Sequence, residues 1–202
     1  MAVTEPRLTK KGLATRERIV EAAAALMLER GVVGTTDAAV RHAANVSGSQ
    51  VIHYFPDKQS LVAAVIEWRA RSVGDLTVLS AEGGLDTLRG IRAWVDSYLS
   101  HEEACVAGCS FGSLAAEIMK SEKNLRAQLA AGFDQWEGLF EAGFAAIQQR
   151  GELRGDARPD VLTHVLMAAF QGGMLLAQAA GDSTPLRDSL NGAMDYIESF
   201  CA

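Results

Sequence analysis

Side chains that could bind DNA are concentrated between Thr35 and Leu61. Glutamine and histidine can form hydrogen bonds with base edges, and hydroxyl and basic side chains can bind phosphate oxygens. The segment that carries them reads as two short helices joined by a tight turn. A third helix then opens at Pro56, Asp57 and Lys58. A helix–turn–helix with a partner helix behind it is typical of DNA binding, so this segment predicts contact with a duplex.

Residues suited to catalysis or metal binding are sparse. The sequence contains no GxSxG, GxxxxGK[ST], HExxH or CxxC motif, and its four histidines are scattered. His101, Cys105 and Cys109 share one helical spacing that could bind a metal ion, although such a trio is more often incidental. The three cysteines, with Cys201 as the third, are an odd count that argues against a disulfide framework. We therefore expect no enzyme activity, no cofactor and no metal.

The net charge of −6 is divided unevenly along the chain. Residues 1–58 contain eight Lys and Arg against six Asp and Glu, which gives +2, and the remaining residues carry −8. The basic excess falls on the segment that should meet phosphate. No run of 18 uninterrupted apolar residues and no signal-peptide core is present, so we expect a cytoplasmic protein without a membrane span.

Helical periodicity dominates the N-terminal part. Residues 1–13 are expected to form a flexible arm, and a helix is expected from Thr15 to about Gly31. Its apolar stripe consists of Ile19, Ala22, Ala23, Leu26 and Met27. Further helices are predicted at 36–44, 48–54 and 58–79, with the turn at 45–47.

The same periodicity continues to the end of the chain. After Gly83 and Gly84 we expect helices at 85–102, 110–120, 122–150 and 159–180, and a last helix that ends near Phe200. No alternating pattern of strands is present. The prediction is an all-α fold of nine helices in two domains, a helix–turn–helix domain at 14–60 and a larger helical domain at 61–202.

Apolar residues in the last two helices could form an interface between two copies of the chain. In the final helix they follow a heptad spacing, and the preceding helix has small residues at 168–173 that allow close approach. Two such helices from each of two chains would make a four-helix bundle. The alternative is that both helices pack on their own core. The residues predicted for the interface are Leu162, Ala169, Gly173, Leu176, Leu186, Leu190, Ala193 and Ile197.

The block TRERIVEAA…TTDAAVRHAANVSGSQVIHYFPDKQSL resembles the DNA-binding domain of the TetR family of transcriptional repressors. That family shows a short helix ending Ala-Ala-Gly-Val-Ser, a recognition helix ending Tyr-x-Tyr-Phe, and then x-x-Lys-x-x-Leu. Here the three parts read AANVS at 43–47, IHYF at 52–55 and KQSL at 58–61. The resemblance covers residues 15–62 and implies a two-domain TetR-like fold.

The resemblance assigns roles around the recognition helix. Ser47 is expected to cap it, and Val46, Val51 and Phe55 are expected to be buried. Ser49, Gln50 and His53 should face base edges, where Gln50 could bind adenine with two hydrogen bonds. Phosphate contacts are expected from Thr36, Tyr54 and Lys58. For Tyr54 the alternative is a core aromatic residue, and for His53 it is a solvated side chain. The full set of predicted DNA-binding residues is Thr36, Arg41, Ser47, Ser49, Gln50, His53, Tyr54 and Lys58.

Three positions depart from the family pattern. Asn45 replaces the turn glycine, and asparagine tolerates the left-handed conformation better than most residues. Arg41 stands where the family usually has alanine, and a guanidinium cannot be buried unpaired, so it could extend past the recognition helix toward phosphate and displace that helix. Ile52 replaces a tyrosine and removes a polar group from the DNA side.

The C-terminal part resembles the LmrA/YxaF-type branch of the same family. The segment Gly-Cys-Ser-Phe-Gly-Ser-Leu-Ala-Ala-Glu at 108–117 matches that branch, as do GELR at 151–154 and FQGG at 170–173. The resemblance implies a domain that binds a small effector and dimerises. Large side chains here could line a pocket for a flat or apolar molecule, with Gln171 orienting it; the alternative is that they fill the core. The predicted ligand-binding residues are Trp94, Tyr98, Phe111, Leu114, Phe133, Trp136, Phe140, Met167, Phe170, Gln171 and Met174.

Two other residues of this part have competing interpretations. Glu117 lies off the apolar stripe of its predicted helix, so we expect it to be solvated rather than to pair with a cationic ligand. Cys109 could sense electrophiles or oxidants if it begins a helix, and the alternative is a small structural residue.

Taken together, these features predict a ligand-responsive repressor that binds a palindromic operator as a homodimer. A small hydrophobic or aromatic effector would release it from DNA. The alternatives are a repressor that senses electrophiles or oxidants through a cysteine, and a DNA-binding regulator that needs no ligand.

Overall fold

A computed structural model describes residues 8–121 and 123–202, and within them the fold is all-α, as predicted. Nine helices have seven residues or more, a tenth has six, and one 3-10 helix spans Lys123–Leu125. The extra six-residue helix lies between the helices predicted at 85–102 and 110–120. The α-helices are α1 (Lys10–Gly34), α2 (Asp37–Ala44), α3 (Gly48–Tyr54), α4 (Lys58–Ser80), α5 (Leu88–Leu99), α6 (Glu102–Ala107), α7 (Ser110–Ser121), α8 (Arg126–Gln149), α9 (Pro159–Ala180) and α10 (Thr184–Glu198).

The chain forms two compact units. The N-terminal unit comprises Met1–Arg69 and Leu114–Gln128, and the C-terminal unit comprises Ala70–Ser113 and Leu129–Ala202. Helices α4, α7 and α8 therefore each contribute residues to both units. The sequence analysis predicted a single division at residue 60, and that boundary stays a prediction.

Helix α1 begins earlier than the sequence analysis predicted. Thr9 caps it by accepting a hydrogen bond from the backbone N–H of Gly12 at 3.2 Å, so the helix starts at Lys10 rather than Thr15. The predicted arm is therefore helical from Lys10 to its end at residue 13, and residues 1–7 lie outside the described residues. Gly31 interrupts the other end of α1 with φ +73°, a conformation that glycine adopts without steric cost.

The core of the N-terminal unit holds the helix–turn–helix together. Val40 of α2, Val51 of α3 and Phe55 are each at most 5% exposed, and the α1 stripe packs with them, with Ala22 half-buried. The Arg16 guanidinium lies 5.2 Å from the Phe55 ring centroid, which adds a cation–π contact. Full burial of a side chain such as Phe55 contributes about 1.5–3 kcal/mol. Val46 is half-buried, less than the sequence analysis predicted.

Aromatic residues form the core of the C-terminal unit. Trp94, Trp136, Phe140 and Phe170 are fully or almost fully buried. The Trp94 ring centroid lies 4.8 Å from that of Phe140 and 5.1 Å from that of Phe170. The indole N–H of Trp136 donates to Thr77 Oγ1 at 2.8 Å, which removes the cost of burying it.

Helices α9 and α10 pack against each other within the chain, which corrects the predicted dimer interface. Leu186, Leu190 and Ile197 are completely buried in the single chain, so they cannot face a partner. The small residue Gly173 serves the same internal contact, because a Cβ there would lie 2.9 Å from Leu186 Cα. Ala193 and Leu162 are also buried, whereas Ala169 is half-exposed and Leu176 is 56% exposed.

Helix α9 is long and apolar enough to cross a membrane by length and composition alone. Eight of its residues, among them Leu166, Phe170 and Met174, are buried inside the C-terminal unit. This burial is what a core helix of a globular domain requires, so the composition is weak evidence for a span.

Candidate nucleic-acid interface

The turn between α2 and α3 depends on Asn45. Its φ of 51° and ψ of 56° are left-handed, and its backbone N–H donates to the carbonyls of Arg41 and His42. Asn45 is the one residue other than glycine with positive φ among the described residues. Asparagine therefore performs the role of the family's glycine here, as predicted from its tolerance of this conformation.

A capping box fixes the start of α3. Ser47 Oγ accepts from the backbone N–H of Gln50 at 3.2 Å, and Gln50 Oε1 accepts from the backbone N–H of Ser47 at 2.9 Å. The Ser47 hydroxyl also lies 2.9 Å from that of Ser49. Gln50 Oε1 is thus engaged in the cap, and its Nε2 amide keeps its two donors for a base edge. A contact with adenine through both groups would require Oε1 to accept a second hydrogen bond or to leave the cap, and that contact stays a prediction.

The remaining α3 side chains are exposed where DNA could reach them. Ser49, Gln50 and His53 are exposed, and Ile52 is 67% exposed. Tyr54 is half-buried, because its ring packs edge-on against His53 with centroids 4.9 Å apart. Its hydroxyl lies 3.3 Å from where a Cβ on Gly12 would stand, so Tyr54 also lies close to the first turn of α1.

Arg41 is exposed rather than buried between helices. Its Nη1 lies 3.0 Å from where a Cβ on Gly48 would stand, so the guanidinium lies against the first residue of α3. Because glycine has no Cβ, it leaves room for the guanidinium. The exposure of Arg41 follows from its charge, but the part played by Gly48 could not be predicted, because one sequence does not show which residue lies beneath the arginine.

Thr36 and Lys58 are both exposed and both engaged with backbone. Thr36 Oγ1 caps α2 by accepting from the N–H of Ala39 at 3.2 Å, and its own hydroxyl proton can still be donated. Lys58 Nζ donates to the carbonyl of Val33 at 3.4 Å. A phosphate contact from Lys58 would add to this bond or replace it.

Asp57 caps the N-terminus of α4. Its Oδ1 accepts from the backbone N–H of Ser60 at 2.7 Å, and the Ser60 hydroxyl lies against the Asp57 backbone. The hydrogen bond from the Ser60 backbone N–H is the largest of the effects that lower the pKa of Asp57 below its usual value. The cap fixes the start of the helix that carries Lys58.

Glu117 of α7 corrects an expectation of the sequence analysis. It was expected to be solvated, but it is half-buried and its Oε1 accepts from the backbone N–H of Val33 at 3.2 Å. The carboxylate oxygens lie 2.9 and 3.0 Å from where a Cβ on Gly31 would stand. Glycine at residue 31 therefore permits both the positive φ and the close approach of the carboxylate. Because Glu117 and Val33 are 84 residues apart, local periodicity gives no signal for this contact.

Comparison with known proteins identifies the family. The model of bacterial regulatory proteins of the tetR family matches residues 19–65, which include α2, α3 and the start of α4. The model of the tetracyclin repressor-like C-terminal domain matches residues 84–193, more than half of the chain. The chain belongs to the TetR family. It is a DNA-binding transcriptional regulator, and TetR-type regulators are not enzymes.

Individual members of the TetR family are similar over most of their length. The repressor DhaR of Mycobacterium sp. (strain GP1) is 23% identical, covering 85% of this chain and 86% of DhaR. The regulator LmrA of Bacillus subtilis is 26% identical, covering 85% of this chain and 90% of LmrA. The crystal structure of a TetR regulator from Chloroflexus aurantiacus is 27% identical with a TM-score of 0.80, covering 96% and 98% of the two chains.

The C-terminal unit of this TetR regulator contains most of the predicted ligand-binding residues. They form a packed aromatic cluster, as the alternative interpretation of a filled core requires. The Phe111 and Phe133 rings lie 4.6 Å apart, and Trp136 lies 5.6 Å from Phe170. Met167 and Met174 of α9 are buried, Gln171 is half-buried, and Leu114 lies in the N-terminal unit. Of the predicted set, Tyr98 lines an open cavity, described below.

The residues of the possible metal trio have other partners. His101 Nδ1 lies 2.8 Å from the carbonyl oxygen of Ser97, and Cys105 donates to the carbonyl of Tyr98. Burial raises the pKa of the Cys105 thiol. Cys109 Sγ accepts from Gly112 N–H and from Gln171 Nε2. In the described part of the chain, no three His, Cys, Asp or Glu side chains form a group that could hold a metal ion.

Proposed function

We propose that this TetR regulator is a cytoplasmic, ligand-responsive repressor that binds a palindromic operator as a homodimer. The observation that carries the proposal is the capped α3, which is anchored by Val51 and Phe55 and exposes Ser49 and His53. A short helix held from behind and polar on its outer side can enter the major groove. Two such helices about 34–36 Å apart would read two half-sites.

The contacts divide into base readers and phosphate binders. Ser49, His53 and the Gln50 Nε2 amide would face base edges, and the exposed methyl groups of Ile52 could meet a thymine methyl. The phosphate binders would be Thr36, Arg41, Ser47, Tyr54 and Lys58, since each carries a hydroxyl or a cation beside α2 or α3.

The homodimer would form on the outer face of α9 and α10. Leu175, Leu176 and Tyr196 are 65%, 56% and 42% exposed. Gly172 and Gly192 have nothing within 4 Å of where a Cβ would stand, so a second copy could approach closely at both. The buried members of the predicted interface set would then support this face from within the chain rather than form it.

Effector binding would release the operator by favouring a state with the wrong spacing between recognition helices. A ligand can shift this equilibrium only by as much as it prefers the released state. Among the described residues Trp94 Nε1 is buried without a hydrogen-bond partner, and an effector that carries an acceptor could supply one.

Fluorescence anisotropy with a labelled duplex from the protein's own promoter region tests the proposal. We expect the wild-type protein to prefer this duplex to a scrambled duplex of equal length. His53→Ala should reduce the preference, whereas Lys58→Ala should weaken binding to both duplexes about equally and make binding less dependent on salt. Equal affinity of the wild type for both duplexes would contradict specific operator binding.

A further inference from the structure

An open cavity of about 300 Å³ lies in the C-terminal unit. Residues from the end of α4, from α5 and from the start of α6 line it. They are Leu76, Ser80, Ser97, Tyr98, His101 and Ala104. Its volume lies at the lower end of the range for small-molecule sites. The sequence analysis predicted only Tyr98 among these residues.

Tyr98 offers this cavity a hydrogen-bond donor. Its ring is held edge-on to Trp94 at 5.4 Å and to Phe170 at 4.8 Å between centroids. Burial and, as the smaller cause, the nearby Cys109 raise the pKa of Tyr98 to about 12, so the hydroxyl stays protonated at neutral pH. Within the described residues this hydroxyl has no hydrogen-bond acceptor.

His101 offers a complementary acceptor. Its Nδ1 lies 2.8 Å from the Ser97 carbonyl oxygen, and a carbonyl cannot donate, so Nδ1 carries the proton. In the neutral imidazole the proton on Nδ1 leaves Nε2 as an acceptor. Tyr98 and His101 therefore have opposite hydrogen-bonding requirements, and one hydroxyl group can satisfy both.

The charge of the surroundings selects a neutral molecule. The described residues that line the cavity include no Lys or Arg, and Glu102 and Glu103 follow His101 in the chain. A carboxylate or phosphate would find no lysine or arginine on the described wall of the cavity. The walls are largely apolar, with Leu76 and Ala104 on them, so the rest of the ligand should be hydrocarbon.

We propose that this cavity binds a small, neutral, largely apolar alcohol or phenol. Its hydroxyl oxygen accepts from Tyr98 and its hydroxyl proton is donated to His101 Nε2. The control of DNA binding by this ligand rests on the proposed repressor function, but binding itself does not.

Calorimetric titration with three matched compounds tests the hydroxyl requirement. The probes are 4-tert-butylphenol, 4-tert-butylanisole and tert-butylbenzene, which share their hydrocarbon body. We expect the phenol to bind the wild-type protein about tenfold more tightly than the ether, which cannot donate, and the hydrocarbon to bind most weakly. Equal affinity for phenol and ether, or no heat with any of the three, would overturn the proposal.

Paired variants assign the two hydrogen bonds. Tyr98→Phe should make the ether bind no more tightly than the hydrocarbon, because the donor to the ether oxygen is gone. His101→Leu should make the phenol bind no more tightly than the ether, because the acceptor for the hydroxyl proton is gone. The matched control His164→Leu alters an exposed histidine on α9 and should keep the wild-type order of affinities. If Tyr98→Phe and His101→Leu also keep that order, the site is not this cavity. Circular dichroism would establish that each variant is folded.

Anisotropy with the operator duplex separates this proposal from the proposed function. If the phenol binds with the expected preference but leaves operator affinity unchanged, the alcohol site stands and ligand-responsive repression fails. If the wild-type protein binds its operator and none of the probes binds, the alcohol site fails and DNA recognition stands.

Discussion

At the scale of single residues, two glycines decide how charged side chains lie near the recognition helix. Gly48 lies under the Arg41 guanidinium, and Gly31 lies against the Glu117 carboxylate. The two cases differ in backbone conformation, because Gly31 has φ +73° while Gly48 is the first residue of a regular helix. Adding one methyl group should therefore have opposite effects on stability.

Gly48→Ala should stabilise the fold and weaken DNA binding. Alanine in a helix is favoured over glycine by about 0.5–1 kcal/mol, and the atom that must move is at the end of a flexible arginine. We expect a higher urea midpoint together with lower affinity for the operator, because Arg41 is displaced from the start of α3. Arg41→Ala is the control, since adding Gly48→Ala to that variant should cause no further loss of operator affinity. A loss of affinity that persists there would show that Arg41 is not the cause.

Gly31→Ala should destabilise the protein by about 1–3 kcal/mol, because a non-glycine residue at this φ is strained and its Cβ would meet the carboxylate. Urea unfolding measures the effect. In a Glu117→Ala background the contact with the carboxylate disappears while the backbone strain remains. The loss of unfolding free energy caused by Gly31→Ala should therefore be smaller in that background, but not zero. An unchanged cost would assign the whole effect to the backbone.

Local residue patterns predicted some of these features and missed others. The Ser47 cap and the left-handed Asn45 follow from residue type and position alone. The spacing of Ser47 and Gln50 is also that of a capping box, so the bond from the Ser47 N–H to Gln50 Oε1 follows from the same local pattern. Glu117 could not be predicted, since its partner Val33 is distant in sequence and a backbone N–H leaves no trace in residue type.

At the scale of elements, the N-terminus of α4 should make stability depend on pH. Because hydrogen bonding lowers the pKa of Asp57 in the folded protein, its contribution is complete above the unfolded value of about 3.9. The contribution is lost as the pH falls through the lowered folded value. Asp57→Asn should unfold with a weaker dependence on pH in the acid range. Thermal unfolding of both proteins between about pH 5 and pH 2 measures this difference, and parallel curves would contradict it.

The helices themselves were predicted well, because their apolar periodicity is strong and glycine or proline marks most ends. The face of α9 and α10 that is proposed to meet a second copy was not. A heptad spacing shows that Leu186, Leu190 and Ile197 lie along one stripe, but not whether that stripe covers its own chain or another. Their burial in the single chain leaves the opposite face, with Leu176, for a partner.

At the scale of the whole molecule, the proposed operator binding requires two chains, so a change far from α3 should weaken it. Leu176→Asp puts a charge on the exposed face of α9 and should convert the dimer to monomers in sedimentation velocity at micromolar concentration. Operator affinity should then fall at least about tenfold, because a single recognition helix no longer gains from a linked second half-site. Leu79→Asp, at a residue of α4 that is 79% exposed, controls for the added charge and should remain dimeric. If Leu176→Asp sediments as the wild type does, the two copies meet elsewhere, and the outer face of α9 and α10 is not the interface.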